Sequence, residues 1–157
     1  MIILGIDPGT AITGYGVIEK KGRGGAYVAH GCITTDKDIL KEKRLLLLER
    51  GMMVLFKKYK PDVVAVESLY FFKNLKTALP VSEARGVILL TVAKHRVPLY
   101  EFTPPQVKMA ITGYGKAEKK QMQKMVQLHL KLDSLPKPDD AADALAIALT
   151  CSSFLRS

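Results

Sequence analysis

"MIILGIDPGTAITGYGV", residues 1–17, opens this 157-residue chain with an apolar run that stops at an aspartate. The apolar run before Asp7 is typical of a strand that is covered on both faces. A Pro-Gly turn follows Asp7, and a second strand is predicted over residues 13–19. A carboxylate gains little from packing at the end of a buried strand. Asp7 is therefore a candidate for chemistry rather than for folding.

Apolar patterns predict the other elements. Three more strands are expected at residues 26–35, 62–67 and 97–102. Helical periodicity predicts five helices, at residues 39–59, 77–95, 104–111, 117–132 and 139–154. Together they predict an α/β fold with a five-stranded mixed sheet, three antiparallel strands and then two parallel ones, flanked by helices. We expect one domain over residues 1–157.

The composition points to a polyanionic partner. The net charge is +9, with 24 Lys and Arg against 15 Asp and Glu, which favours nucleic acid but is shared by ribosomal proteins. Gly14 and Gly16 are expected to leave room for a nucleic-acid strand. The two cysteines lack metal-ligand or disulfide spacing. With no leader and no long apolar run, we expect a cytoplasmic protein without membrane contact.

Four carboxylates form a candidate metal site. Asp7 ends the first strand and Glu67 ends the fourth, so both would emerge at one edge of the sheet if these strands are parallel neighbours. Asp140 and Asp143 lie three residues apart at the start of an Ala-rich helix and share one face. Carboxylate oxygens suit two Mg²⁺ or Mn²⁺ ions, which can hydrolyse a phosphodiester.

Each acid also has a structural interpretation. Asp139 or Asp140 would serve as a helix N-cap, Asp7 would accept a bond from a turn amide, and Glu67 would pair with a lysine. These explanations treat every residue separately. Three segments that each place an acid at the end of an apolar run favour one shared site.

One helix is too apolar for a single buried face. Between residues 81 and 92, apolar side chains spread well beyond one stripe. Such a helix needs two partners. One is the sheet, and the other is either a second subunit or a neighbouring helix.

Lysines concentrate before the last helix. Seven lysines lie between residues 105 and 137, against two acids. Lys119 and Lys120 fall in the first turn of a helix, where the dipole disfavours cations, so a bound phosphate explains them better than helix stability does. Lys116, in the preceding loop, is assigned to the same DNA-binding surface.

Aromatic residues follow Glu67 in "ESLYFFKN". Tyr70, Phe71 and Phe72 are predicted to lie in a loop beside the site, where exposed rings stack on unpaired bases and buried rings anchor the loop. Arg85 is expected to touch DNA or to tie down this loop.

Seven motifs carry a family resemblance. "GIDPGT", "GYGV", "VAVES", "EARG", "PPQVK", "GKAEKKQ" and "DAADALAIALT" resemble the RuvC family of Holliday-junction resolvases, endonucleases of the ribonuclease H-like superfamily. They all lie within residues 3–150, nearly the whole chain. "GIDPGT" alone is also similar to phosphate loops of the actin and sugar-kinase group.

The resemblance implies specific roles. Asp7, Glu67, Asp140 and Asp143 would bind two Mg²⁺ ions per subunit, with Mn²⁺ as a substitute. Lys108 and Lys119 would support catalysis, and an aromatic at position 70 would wedge at the junction. The family works as a homodimer, joined by the helix over residues 81–95, that nicks opposed strands of four-way junction DNA symmetrically. It also suggests a branch-migration helicase complex as a partner.

Two other functions stay open. A nucleotide-handling enzyme of the actin and sugar-kinase group fits "DPGTAITGYG", although that architecture uses two such domains. A junction-binding protein without catalysis would need only the basic surface, and would keep its function when Asp7 is replaced by Asn.

Overall fold

The computed structural model describes residues 1–22, 24–68 and 75–155, and only the backbone of residues 75–77. The strands are β1 (Ile2–Asp7), β2 (Ile12–Lys21), β3 (Gly24–Thr34), β4 (Val63–Glu67) and β5 (Leu99–Phe102). The helices are α1 (Lys41–Tyr59), α2 (Leu75–Lys94), α3 (Pro104–Thr112), α4 (Lys119–Leu130) and α5 (Asp139–Phe154).

The five strands form one mixed sheet in the order β3-β2-β1-β4-β5. β1, β2 and β3 are antiparallel neighbours, whereas β4 runs parallel to β1 and β5 parallel to β4. The predicted fold class is confirmed. Ile6 pairs with Val66, so Asp7 and Glu67 follow side by side at the same edge of the sheet.

Alternate residues of the central strands face two separate cores, because successive side chains of a strand point to opposite faces. Leu4, Ile6, Val64 and Val66 pack in the core on the side of α1 and α2. Ile3, Val63 and Ala65 pack in the core on the side of α3, α4 and α5. Asp7 and Glu67 continue the second set, and this alternation turns both carboxylates towards α5.

α5 lies unusually close to β1 and β2. A Cβ atom on Gly14 would overlap the carbonyl oxygen of Asp140, and one on Gly16 would lie 2.6 Å from the backbone nitrogen of Leu145. A Cβ on Gly5 would likewise overlap the carbonyl oxygen of Ala144. The prediction that Gly14 and Gly16 make room for nucleic acid is therefore wrong, since the backbone of α5 fills that space.

Two helices begin at positions that matter for the predictions. α4 begins at Lys119 after a capping box formed by Glu118 and Gln121, so Lys119 and Lys120 do lie in the first turn. α2 begins at Leu75, two residues before the predicted start of this helix. Among the described residues, no helix combines the length and the apolar character needed to span a bilayer.

Candidate active site

Asp7 lies half-buried at the end of β1, among other carboxylates. Burial is the largest cause of a rise in the pKa of Asp7 to about 8. The negative charges of Glu67 and of the two α5 acids, Asp140 and Asp143, add to this rise. The positive charge of Lys119 acts in the opposite direction. The structure thus brings the four predicted carboxylates within electrostatic reach of one another.

Glu67 and Asp143 share this environment. Burial, followed by the charge of Asp143, raises the pKa of Glu67 to about 7, and Lys108 opposes the rise. Burial also raises the pKa of Asp143, with Lys119 opposing and Asp140 adding to the increase. A buried group of like charges favours protonation unless a cation compensates it.

The separate structural interpretations of these acids find no support in the described residues. The N-cap of α5 is Pro138, with no side-chain capping bond, so the prediction that Asp139 or Asp140 caps this helix is wrong. Burial and charge alone shift the pKa of Asp7, without a hydrogen bond from a turn amide. The charge of Lys108 opposes the rise in the pKa of Glu67, but the two side chains form no ion pair.

Two lysines border the carboxylates. Lys119 Nζ lies 3.2 Å from Asp139 Oδ2 and 3.5 Å from Asp143 Oδ2. Lys108 projects from α3, whose start is fixed by a capping box between Thr103 and Gln106. A cleft of about 220 Å³ brings these groups together, and its lining residues are Glu67, Pro104, Val107, Lys108, Lys119, Met122, Asp143 and Ala146.

The donor set fits a hard divalent cation. Asp7, Glu67, Asp140 and Asp143 offer carboxylate oxygens only, which are the ligands that Mg²⁺ and Mn²⁺ prefer. Within residues 1–22, 24–68 and 75–155, no three acidic, His or Cys side chains already converge as ligands on one point. Burial and mutual repulsion raise the pKa of Asp7 and Glu67, and a bound cation would relieve the repulsion.

Known proteins share both the sequence and the fold. A family model described as "Crossover junction endodeoxyribonuclease RuvC" matches residues 3–151. The chain belongs to the RuvC family. It is 57% identical to the crossover junction endodeoxyribonuclease RuvC of Thermosipho melanesiensis over 94% of each chain. The identity to the protein of that name from Petrotoga mobilis is 54%, over 100% of this chain and 96% of the relative.

A solved structure extends the similarity to the whole fold. The chain superposes on Thermus thermophilus RuvC, solved in complex with a Holliday junction substrate, with a TM-score of 0.93 and 32% identity. The match covers 99% of this chain and 95% of that one. The predicted ribonuclease H-like fold is thereby confirmed.

A second groove of this RuvC-family chain, called the basic groove because it carries Lys120 and Lys124, is formed by α4 and the loop before it. It has a volume of about 470 Å³ and is lined by Thr112, Tyr114, Ala117, Lys120, Gln121, Lys124 and Met125. Tyr114 is 59% exposed, and its backbone N–H donates to Thr112 Oγ1 at 3.1 Å. We did not predict Tyr114, although an aromatic between two glycines in "TGYGK" was a usable signal. Lys116 and Lys120, which are predicted to bind DNA, are both exposed.

Arg85 is held inside the protein. Its Nη2 atom donates to Glu101 Oε1, at 2.6 Å, and so ties α2 to β5. The Nε atom is buried without a partner in the described part of the chain. Tyr70, Phe71 and Phe72, predicted to contact DNA, lie outside the described residues.

α2 keeps an apolar side that no other helix of the described chain covers. Ala84, Ile88 and Val92 pack against the sheet, whereas Leu90 is 55% exposed. Leu79 on the same helix and Met53 and Val54 on neighbouring α1 are also exposed. Neighbouring helices therefore do not provide the second partner that Leu90 needs.

Proposed function

We propose that this protein is a crossover junction endodeoxyribonuclease that resolves four-way (Holliday) DNA junctions in homologous recombination and DNA repair. The observation that carries the proposal is the gathering of Asp7, Glu67, Asp140 and Asp143 at one edge of the sheet. The structural relative from Thermus thermophilus was solved with a Holliday junction. A basic chain with this site has a phosphodiester as its natural substrate.

The family implies dependence on a divalent metal. We assign two Mg²⁺ ions, replaceable by Mn²⁺, to the four carboxylates. When bound, such ions activate water and stabilise the leaving oxygen of an in-line displacement. The protein contributes a half-buried site with only oxygen ligands, and the apolar walls of the cleft limit the access of bulk water.

Lys108 and Lys119 place positive charge on either side of the carboxylates. Lys119 is held by Asp139 and Asp143, so its ammonium group is oriented before substrate arrives. We assign to both lysines the binding of the scissile phosphate and the stabilisation of its developing charge.

The basic groove gives the DNA a path away from the cleft. Lys116 and Lys120 would contact phosphates, and the exposed ring of Tyr114 would stack on a base or sugar. The family resemblance adds Tyr70, Phe71 or Phe72 as a wedge at the junction. Arg85 would support DNA binding from its position between α2 and β5.

The apolar side of α2 supports a homodimer. Two copies joined there by a two-fold axis would place one active site on each of two opposed strands, which gives paired symmetric nicks. Such a reaction on chromosomal DNA takes place in the cytoplasm. Only the family resemblance supports a branch-migration helicase complex as a further partner.

The test is to incubate the purified protein with a labelled synthetic four-way junction and Mg²⁺ and to map the nicks. We expect two symmetric nicks near the crossover, none in linear duplex of the same sequence, and none with a chelator. Binding of the junction without any nick would favour the non-catalytic alternative. ATP hydrolysis without nicking would favour the nucleotide-handling enzyme.

A further inference from the structure

Two residues of β3 stand beside the start of α5. In the sheet, His30 pairs with Gly16 and Cys32 pairs with Gly14. Because α5 lies directly over the two glycines, side chains from these positions of β3 flank its first turn. His30 reaches the residue before Pro138, with Nε2 lying 3.1 Å from the carbonyl oxygen of Lys137.

Tyr27 completes a short hydrogen-bonded chain. The carbonyl of Lys137 can only accept, so His30 Nε2 must carry a proton and donate it. His30 Nδ1 lies 3.0 Å from the hydroxyl oxygen of Tyr27, and in the neutral ring it accepts from that hydroxyl. The hydroxyl therefore favours the tautomer that donates to Lys137 and orients the ring.

The start of α5 has no side-chain cap of its own that would fix it. Its N-cap is Pro138, without a capping bond, and the exposed Asp139 is engaged with Gln123 and Lys119. Asp140, in the same first turn, is one of the four site carboxylates. Lys137 lies two residues before α5, so a shift of its backbone would be transmitted through the N-cap Pro138 to Asp140 in the first turn.

The other end of α5 offers a comparison. The hydroxyl of Ser152 donates to the carbonyl oxygen of Gly24 at 2.7 Å, which ties the last turns of α5 to the start of the same strand β3. Both ends of α5 are thus fastened to β3 by a side chain that donates to a backbone carbonyl. Only the Lys137 end lies next to the site.

We propose that Tyr27 and His30 are positioning residues that hold the start of α5, and with it Asp140, in place for the divalent cation. The inference rests on the proposed function in one respect, namely that the carboxylates bind such an ion. Groups that orient metal ligands without touching the metal commonly affect metal affinity.

The experiment measures Mn²⁺ binding to the full chain by calorimetry without DNA, and thermal unfolding in parallel. We expect Tyr27→Phe and His30→Ala to weaken Mn²⁺ binding by about 10-fold, the lower end of the range for groups that orient metal ligands, because they act through the backbone. His30→Gln should restore the wild-type affinity, because its amide can donate to Lys137 and accept from Tyr27. Ser152→Ala should lower the unfolding temperature and leave Mn²⁺ affinity unchanged.

The outcomes separate this inference from the proposed function. Wild-type protein that binds no Mn²⁺ would overturn the metal site and the inference with it. Wild-type affinity in both Tyr27→Phe and His30→Ala would overturn the inference alone. An equal loss of affinity in Ser152→Ala would also overturn it, since general loosening of α5 would then be sufficient. If His30→Ala fails to fold, Tyr27→Phe decides, because it removes one exposed oxygen.

Discussion

The two helical faces of the sheet differ in what they expose. On the side of α3, α4 and α5, the carboxylate site adjoins two lysines, and α4 also carries residues of the basic groove. On the side of α1 and α2, the exposed groups include Leu79, Leu90, Met53 and Val54. Both faces bury a core against the same strands. In our proposal, the first face acts on DNA and the second joins two copies.

The carboxylate site and the apolar surface lie on opposite faces of the sheet because side chains alternate along β1 and β4. Ile6 and Val66 face the core under α1 and α2, and the next residues, Asp7 and Glu67, face α5. A shift of the strand register by one residue would send both carboxylates to the other face. The chemistry of the site is therefore determined by the same alternation that fills the two cores.

The largest effect is expected from removing a site carboxylate. Asp143→Asn should lower the rate of junction cleavage by about 1,000-fold or more, which corresponds to about 4 kcal/mol of lost transition-state stabilisation. Junction binding should persist because the lysines remain. Single-turnover cleavage and fluorescence anisotropy measure the two quantities. Asp133→Asn, an exposed acid before α5, is the control that should leave both unchanged, and unimpaired cleavage by Asp143→Asn would contradict the mechanism.

The next effect concerns the other face. Leu90→Lys should weaken dimerisation by about 100-fold, because a charged group would be buried at the apolar contact. Sedimentation velocity over a dilution series measures it. Leu128→Lys, at an exposed leucine on α4, should leave the dimer intact. A dimer that tolerates Leu90→Lys would place the contact elsewhere.

A third effect is the pH dependence of the metal-free protein. The pKa of Asp7 is raised to about 8 in the folded protein, so its contribution to stability is full below about pH 4 and is lost as pH rises through 8. With chelator at pH 8.5, Asp7→Asn should be more stable than wild type by about 2 kcal/mol, a value discounted from the full pKa rise because solvent screens the half-buried site. At pH 4 the difference should vanish. Urea unfolding at the two pH values measures it, and an equal difference at both would contradict this origin.

The smallest effect should come from a single groove lysine. Lys120→Ala should weaken junction binding a few-fold and reduce the salt-dependence slope by about 0.9, the value for one lost phosphate contact. Lys43→Ala, an exposed lysine on α1, is the matched control and should leave the slope unchanged. Equal slopes for wild type and Lys120→Ala would assign Lys120 to a solvated surface.

The fold and the proximity of the four carboxylates could both be predicted from the order of apolar runs and the acids that end them. Acids at the ends of apolar runs signal the edge of a sheet, and parallel pairing of the first and fourth strands follows from the order of strand and helix. The roles of Lys108, Lys119 and the residues assigned to DNA stay predictions.

Other features depend on contacts that no local pattern encodes. The carbonyl of Lys137 is 107 residues from His30, and neither residue carries a periodic signal. We interpreted Gly14 and Gly16 of β2 as room for nucleic acid because no local sequence pattern shows that the backbone of α5 packs against them. Pro138 is the N-cap of α5 because the helix begins at Asp139. An N-cap at Asp139 would require the helix to begin at Asp140.

We propose that the side of α3, α4 and α5 cleaves DNA and that the side of α1 and α2 forms the dimer. The most direct test is a mixed dimer. One subunit is wild type and the other carries Asp143→Asn, and the dimer is isolated with two different affinity tags. On a four-way junction with Mg²⁺, we predict a nick in a single strand per binding event, at either of two symmetric positions. Paired nicks in opposed strands by the mixed dimer would contradict the account.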